Sequence, residues 1–463
     1  MDWPKLLTAL RLRDTTKQPE ELRTELERDY GRAVFSTPVR RLQDKAQVFP
    51  LETIDAVRTR LTHSLEVSSV ARGLTRSTFA ELAKAGEIEE RFVYDVETVA
   101  ATCGLIHDIG NPPFGHAGEQ AIQDWFKAEA AKDNSKWISD TGSNDVGAHC
   151  RRDFELFEGN AQTLRLLSKL QILSDRSGLN LTVATLSAAC KYTAHSMEAD
   201  EEAPRQSKHK TGYFKSEEDV INQVREMTGT GDARNPISFL VEASDDMVYA
   251  VVDIEDGIKK GVVSWNEVRT ILAEHKSAIG EAFFSSTVEL SEKRINSATV
   301  PLVGRSKDEA ISQYFRTLVI GKARDAVQRA FVSKYGEIMA GAYDKEILYD
   351  SDAAGLYNTL KKHIGRKHVY NAKETLRLEL LGRKVIQDLL NLFWESVESK
   401  KTKGFSEKIY NLLSQNYRTV FTQPNPYEAS LPREYRRAQL ITDYICGMTD
   451  SFALNLHREL FNG

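Results

Sequence analysis

The chain has 463 residues, of which 41% are hydrophobic and 28% charged, and its formal net charge at pH 7 is −5. This composition is typical of a globular protein with a sizeable core, and the acidic balance argues against a basic sleeve around nucleic acid. Four separated cysteines without a CxxC pair, and no stretch of about 18 uncharged apolar residues, argue against a disulfide framework and a membrane span.

The N-terminus, MDWPKLLTALRLRD, carries acids and only a brief apolar run. It therefore does not predict a signal peptide, and we expect a cytoplasmic protein. Along most of the chain apolar residues recur at the helical period, while strand-like alternation is scarce. This pattern predicts an all-α fold.

The first informative helix is predicted over residues 57–74. Its apolar positions are Leu61, Leu65, Val67 and Val70. His63 stands three residues after Arg60, so both side chains can face one site. The alternative is a hydrogen-bonded core histidine beside a solvated arginine.

A second helix is predicted over YDVETVAATCGLI, and His107 and Asp108 follow it directly. Adjacent side chains on a helix diverge by about 100°, but both can reach one ion where the helix end faces it. Taken alone, such a pair is more often a packed histidine beside a solvated acid.

A sharp break follows in the segment 111–115, Asn-Pro-Pro-Phe-Gly, and a new helix is predicted near Gly118. His116 and Glu119 lie three residues apart at this restart. Glu119 can orient His116 and stabilise its charge, which suits an acid that protonates a leaving oxygen. The alternative is a turn histidine beside an ordinary helix-terminal acid.

Further helices are predicted over residues 160–173, 180–192, 376–397 and 439–460, and the apolar face of the first carries Leu164, Leu167, Leu170 and Ile172. Three polar stretches are predicted as loops, at residues 132–147, 196–218 and 400–408. We place a domain boundary near residue 265, with a core and an N-terminal extension over 1–265 and a helical C-terminal region over 266–463.

The helix predicted over residues 236–258 carries Asp245, Tyr249 and Asp253 in steps of four. Each step drifts by only about 40°, so the three side chains share one side of the helix. Valines surround them, which makes these acids more informative than acids on a solvated helix. For Asp253, with two further acids close by, a solvated acidic face is the alternative.

Two imidazoles and two carboxylates form a candidate metal site, whose ligands are His63, His107, Asp108 and Asp245. This mixture suits Mn²⁺, Fe²⁺, Co²⁺ or Zn²⁺, and Mg²⁺ less naturally. Four protein ligands leave coordination positions for water and a phosphate oxygen. The pattern therefore indicates metal-assisted phosphoester hydrolysis.

The motifs resemble, in chain order, those of the bacterial deoxyguanosine triphosphate triphosphohydrolases (dGTPases) of the HD-domain superfamily. The stretches that carry the resemblance are GRAVFSTPVRRLQDKAQVFPLE, VRTRLTHSLEV, HDIGNPPFGHAGE, FEGNAQTLRLL, CKYTAHS with HKTGYFKSEED, FLVEASDDMVYAVVDIEDG and DYICGMTDSFAL. A lone His-Asp pair is unspecific, but this ordered set covers most of the chain.

The resemblance implies a helical HD-domain core with additional C-terminal helices. It implies hydrolysis of dGTP to deoxyguanosine and intact triphosphate, by water attack on the α-phosphorus. His116 and Glu119 would be the catalytic pair, beside a site for Mn²⁺ or Mg²⁺, with Co²⁺ as an alternative ion. The implied substrate-binding residues are Gln47, Arg60, Lys191, Tyr192, Tyr249, Asp253 and Arg418.

Within that set, Arg60 and Lys191 would meet the phosphates, and Tyr249 would stack on the deoxyribose. Gln47 and Asp253 would bind the 3′-hydroxyl. Glu379 has no assigned role. The family also implies a homo-oligomer, with a hexamer among the sizes it allows, and single-stranded DNA as an effector.

Other functions share parts of this pattern. A broad-specificity dNTPase uses the same residues, and an HD phosphatase or phosphodiesterase shares the metal ligands but leaves Tyr249 and Asp253 unexplained. A regulatory protein that binds single-stranded nucleic acid would need no intact metal set. Buried acids without a function are costly, which argues against a purely structural helical protein.

Overall fold

The computed structural model describes residues 1–13, 22–133, 135–142, 144–171, 177–397 and 404–461. These residues are mainly helical, and the predicted all-α class is confirmed. The strands found among them are β1 (Ala194–His195) and β2 (Thr211–Tyr213), which pair in parallel. No helix in the described part of the chain has the length and apolar character that crossing a membrane requires.

The first part of the chain forms helices that carry most of the predicted site residues. They are α1 (Trp3–Leu6), α2 (Glu25–Val34), α3 (Thr37–Arg41), α4 (Arg60–Lys84), α5 (Phe92–Ile106), α6 (His116–Ala130), α7 (Lys136–Thr141), α8 (Asp145–Glu155), α9 (Gly159–Arg165), α10 (Val183–Ala189), α11 (Glu218–Thr228) and α12 (Pro236–Lys260). Short 3₁₀ turns cover Leu42–Asp44, Gln206–Lys208 and Lys215–Glu217, and a π-helical segment covers Leu166–Leu170.

The rest of the chain adds a long helix and several shorter ones. They are α13 (Trp265–Glu274), α14 (Lys276–Ile279), α15 (Glu281–Phe284), α16 (Leu290–Asn296), α17 (Gly304–Met339), α18 (Ala354–Thr359), α19 (Lys373–Ser396), α20 (Phe405–Leu412), α21 (Gln415–Thr422), α22 (Pro426–Ala429), α23 (Arg433–Cys446) and α24 (Asp450–Phe461). π-helical segments cover Ser285–Glu289 and Leu360–Val369.

The site rests on α4, α5 and α12, which pack against one another. Helix α4 begins with a capping box in which Thr59 and Thr62 satisfy each other's backbone amides. Helix α12 begins at Asn235, whose side chain accepts from the amide of Ile237, and ends at Gly261 in the left-handed conformation. These caps fix both ends of the helix that carries Asp245.

Within the described residues, apolar side chains form two large cores. The first joins α1, α4, α5 and α12 to α13–α18, and the second joins α6–α9 and α11 to α19–α24. The region after residue 265 is therefore shared between both cores. The division at residue 265 stays a prediction.

Two predicted segments differ in the structure. The polar stretch 132–147 is not one loop, because its polar residues Ser135 and Asn144 cap α7 and α8. The helix predicted over 439–460 is broken at Gly447. A side chain there would lie 2.7 Å from the hydroxyl of Tyr417, so the close packing accounts for a glycine at this break.

Two further predicted loops and the predicted apolar position Leu65 can be compared with the structure. Residues 196–218 form turns around the β1–β2 pair, and α20 begins within the predicted loop 400–408, of which residues 400–403 lie outside the described residues. Leu65, an apolar position of the helix predicted over 57–74, is 47% exposed. Ile172 also lies outside the described residues.

Candidate active site

A cavity of about 530 Å³ lies where the two cores meet. Cys103, Ala188 and Val241 of the first core and Phe114 of the second contribute to its wall. Most of the predicted site residues line this cavity, and they are Gln47, Arg60, His107, Asp108, His116, Glu119, Lys191, Tyr192, Asp245, Tyr249 and Glu379. Side chains drawn from distant parts of the chain therefore share one pocket.

The cavity-lining side chains His107, Asp108 and Asp245 converge with His63, which is not itself among the lining residues. His63 on α4 is fully buried, and its Nε2 lies 3.0 Å from Oδ1 of Asp245 on α12. His107 caps the C-terminal end of α5, and its Nε2 lies 3.5 Å from Oδ2 of Asp108 and 3.5 Å from Oδ1 of Asp245. Ligand atoms of His63, His107 and Asp108 all lie within 4.8 Å of one another.

The tautomer of His107 suits a metal ligand. Its Nδ1 lies 2.8 Å from the carbonyl oxygen of Gly104, and because a carbonyl only accepts, Nδ1 must carry the hydrogen. The lone pair of the neutral ring is then on Nε2, which is buried without a hydrogen-bond partner among the described residues. A backbone acceptor that fixes the ring in this way is typical of histidines that bind metal. The donor set therefore fits a divalent ion.

Strong charges surround Asp108. Arg60 on α4 donates to its Oδ2, and the side-chain Nδ2 of Asn111 donates to its Oδ1 at 2.9 Å. Burial alone would raise the pKa of Asp108, but His107 and Arg60 favour the carboxylate and lower the pKa to about 2. Burial opposes the charge of His107 too, yet the Asp108 and Asp245 carboxylates raise its pKa to about 9. Because a histidine binds metal as the neutral ring, an ion bound through Nε2 would replace a proton there.

His116 and Glu119 form a hydrogen-bonded pair at the start of α6. Nδ1 of His116 lies 3.0 Å from Oε2 of Glu119, and the backbone amide of Gly159 donates to Oε1 at 2.8 Å. The Glu119 side chain is 9% exposed, whereas the His116 ring is 89% exposed and faces the cavity. The hydrogen bond and the charge of Glu119 raise the pKa of His116. The protonated ring is thereby favoured in a position open to a ligand.

The stretch FEGN, which suggested no chemistry from sequence, supports this pair. A side chain at Gly159 would lie 2.1 Å from Oδ1 of Asn111 and 2.7 Å from Oε1 of Glu119. Only glycine allows its amide this close to both segments. The turn before His116 is also unusual, because Phe114 and Gly115 have φ of 63° and 56°. For Phe114 this conformation costs about 1–3 kcal/mol, so surrounding contacts must hold it.

Cationic side chains line the cavity beside Arg60. Lys191 lies 3.5 Å from Glu242, and Lys210 lies 3.1 Å from Glu158. Burial would lower the pKa of Lys191, but Tyr192 and Glu242 raise it well above its usual range. Lys210 was not singled out from the sequence, although it lies in the quoted stretch HKTGYFKSEED. A local group of cations can hold a polyanion in an acidic protein.

Two stacked tyrosines form another wall. The rings of Tyr249 and Tyr370 lie 6.0 Å apart at 16°, and the Tyr370 hydroxyl donates to Oδ2 of Asp253 at 2.7 Å. Oδ1 of Asp253 and Oε1 of Gln47 are buried without hydrogen-bond partners among the described residues. Asp253 therefore lies behind Tyr370 rather than on the cavity wall. Tyr370 had no sequence signal, because it lies far along the chain, directly after the π-helical segment Leu360–Val369.

Arg418, like Asp253, is a predicted substrate-binding residue that does not line the cavity. It lies on α21, donates to Oδ1 of Asn411 at 2.7 Å, and packs over the ring of Tyr410. Within the described chain it takes no part in the pocket. Its predicted contact with substrate stays a prediction. Glu379 on α19 does line the cavity, and burial raises its pKa.

Comparison with known proteins finds two matching family models and several relatives that align over nearly the whole chain. Residues 60–194 match the HD domain, and residues 351–459 match the phosphohydrolase-associated domain. The chain is 33% identical to a deoxyguanosinetriphosphate triphosphohydrolase-like protein of Listeria innocua, over 99% of both chains, and equally to its counterpart in Listeria monocytogenes. It is 30% identical to the deoxyguanosinetriphosphate triphosphohydrolase of Yersinia pestis, over 95% of this chain and 94% of the relative.

Proposed function

The chain belongs to the deoxyguanosinetriphosphate triphosphohydrolase family, and from this membership we propose that it hydrolyses dGTP to deoxyguanosine and triphosphate. The observation that carries the proposal is the placement of His116 and Glu119 in the same cavity as the His107, Asp108 and Asp245 cluster. The cavity volume of about 530 Å³ is in the usual range for small-molecule sites.

We propose that His63, His107, Asp108 and Asp245 hold one divalent ion, Mn²⁺ or Mg²⁺, with Co²⁺ as an alternative. When bound, such an ion polarises phosphoryl oxygens and offsets negative charge as it develops. Arg60 keeps Asp108 ionised and in place through its ion pair. The same arginine borders the cavity, so its remaining donors are available to a phosphate.

In the proposed reaction, the oxygen of water forms a bond to the α-phosphorus, the bond from that phosphorus to O5′ breaks, and the water releases one proton to solvent, from which His116 is reprotonated before the next turnover. Protonated His116 gives its Nε2 proton to O5′, which leaves as the 5′-hydroxyl of deoxyguanosine. Glu119 keeps the ring oriented through Nδ1 and stabilises its positive charge. Triphosphate leaves intact, and Lys191, Lys210 and Arg60 are placed to offset its charge.

The sugar would lie against Tyr249, whose ring is backed by Tyr370. A rigid aromatic wall leaves little room for a 2′-hydroxyl, which favours a deoxyribose. The unpartnered Oε1 of Gln47 is available to a 3′-hydroxyl, and Asp253 would act on the sugar through the Tyr370 hydroxyl, to which it is hydrogen-bonded. Homo-oligomer formation and a single-stranded DNA effector are expected from the family alone.

The proposal is tested by incubating the full-length protein with each dNTP and with GTP, in Mn²⁺ or Mg²⁺, and separating the products by ion-exchange chromatography. We expect a deoxynucleoside and triphosphate, with dGTP as the preferred substrate and GTP resistant. Equal turnover of all dNTPs would replace dGTP specificity with a broad dNTPase. Diphosphate or monophosphate products would contradict the triphosphohydrolase assignment.

The His116–Glu119 pair predicts a pH dependence. Because Glu119 raises the pKa of His116, the acid form persists above the ordinary histidine range, and kcat falls as pH rises through that raised pKa. Glu119→Gln removes the charge but retains an oxygen for the amide of Gly159. We expect its kcat to fall at a lower pH than in the wild type. Unchanged alkaline limbs in kcat–pH profiles would contradict the acid role.

A further inference from the structure

The stretch DYICGMTDSFAL spans the end of α23 and the start of α24. It resembles a motif of the family but has no role in the reaction described above. Asp450 in this stretch is 1% exposed. Its Oδ1 accepts from the backbone amide of Phe114 at 2.9 Å, and its Oδ2 accepts from the amide of Ala46 at 3.0 Å. One carboxylate from the C-terminal part of the chain thus joins two separate segments.

Both segments lead directly to candidate site residues. Phe114 lies two residues before His116, in the left-handed turn that starts α6. Ala46 precedes Gln47, and its carbonyl oxygen accepts from Nε of Arg60 at 3.1 Å. Asp450 therefore connects the segment that presents the acid with the segment that holds the phosphate-facing arginine.

Lys45 provides a second connection between these two segments. It is buried, and its Nζ donates to the carbonyl oxygens of Asn111 at 2.6 Å and Cys446 at 2.7 Å. Asn111 in turn donates to Asp108. The two links are independent, since they use different side chains and different backbone groups of the 111–114 turn.

We propose that Asp450 and Lys45 are positioning residues that set the distance between the His116 segment and the Gln47–Arg60 segment. The proposal rests on the proposed function, because it assigns these contacts to the same reaction. Ionised Asp450 can accept both amides at once, whereas its loss leaves two buried donors unpaired and frees the Phe114 turn. A displacement of about 1 Å at a reacting group costs about a hundredfold in rate.

The test compares Asp450→Ala with Ser451→Ala in the full-length protein. Ser451 is a neighbouring control, because its hydroxyl donates to Asp44 at 2.9 Å and so joins α24 to the start of one segment without contacting Phe114 or Ala46. With dGTP and Mn²⁺, Asp450→Ala is expected to lower kcat about tenfold to a hundredfold, and Ser451→Ala less than about twofold. If Asp450→Ala does not fold, Asp450→Asn replaces it, since asparagine keeps the volume but offers one acceptor.

Two further readouts separate positioning from simple stabilisation. Asp450→Ala in a His116→Asn background is expected to lower kcat less than about threefold, because the acid is already absent. Hydrogen exchange should rise together in residues 45–48 and 110–117 of Asp450→Ala, whereas Ser451→Ala should leave residues 110–117 unchanged. If the wild type is active and the Asp450 variants keep its kcat and its hydrogen-exchange rates, the positioning role is overturned and the proposed function is not. An inactive wild type with coupled exchange would overturn the proposed function alone.

Discussion

Replacing Asp108 with alanine is expected to lower dGTP hydrolysis about a thousandfold or more and to weaken Mn²⁺ binding. The carboxylate lies with His63 and His107 in a cluster whose ligand atoms are within 4.8 Å. Its loss removes an anionic ligand and leaves Arg60 buried without its ion-pair partner. Lewis-acid stabilisation contributes several kcal/mol, and each ~1.4 kcal/mol is a factor of ten in rate.

Asp124→Ala is a matched control for this variant. Asp124 is also paired with an arginine, at 3.0 Å from Arg383, but it lies outside the cavity on α6. It should retain wild-type turnover and Mn²⁺ affinity. Steady-state kinetics together with calorimetric Mn²⁺ titration measures both quantities. Full activity in Asp108→Ala would remove the metal set from the mechanism.

His116→Asn is expected to lower kcat about a hundredfold to ten-thousandfold with little change in KM, as loss of a general acid does. The ring is 89% exposed and its side-chain partner is Glu119, so the substitution disturbs little packing. The substrate phosphates would still meet Arg60, Lys191 and Lys210. The effect should therefore appear in the chemical step.

His457→Asn is the corresponding control. His457 forms a similar pair, with its Nε2 2.7 Å from Asp388, but this pair joins α24 to α19 outside the cavity. Its removal should leave kcat near the wild-type value. Initial rates measured over a range of dGTP concentrations give kcat and KM for both variants. Equal losses in the two variants would indicate destabilisation rather than acid catalysis.

Much of the site could be predicted because its residues lie on strongly periodic helices. Four-residue spacing on α12 set Asp245 and Tyr249 on one side, and the structure has both on the cavity wall. The Pro-Pro-Phe-Gly break predicted a new helix near Gly118, and α6 begins two residues earlier, at His116. Predicting the metal cluster also required that α4 and α12 lie close together, which we inferred from the ligand chemistry of their residues.

The remaining residues could not be predicted because their contacts leave no periodic signal. Asp450 contacts Phe114 across 336 residues of sequence, and it binds backbone amides rather than a complementary side chain. Tyr370 reaches Asp253 from the end of a π-helical segment whose register differs from the usual helical period. Asn144 illustrates a different failure, since a polar residue can begin a helix as readily as it can occupy a loop.

Hydrolysis of dGTP in water enriched in ¹⁸O tests the central claim most directly. Water attack on the α-phosphorus, with His116 protonating O5′, transfers one ¹⁸O atom to triphosphate and none to deoxyguanosine. Mass spectrometry of both products after a single turnover distinguishes the two positions. Label in the 5′-hydroxyl of deoxyguanosine, or in a released diphosphate or monophosphate, would contradict the mechanism.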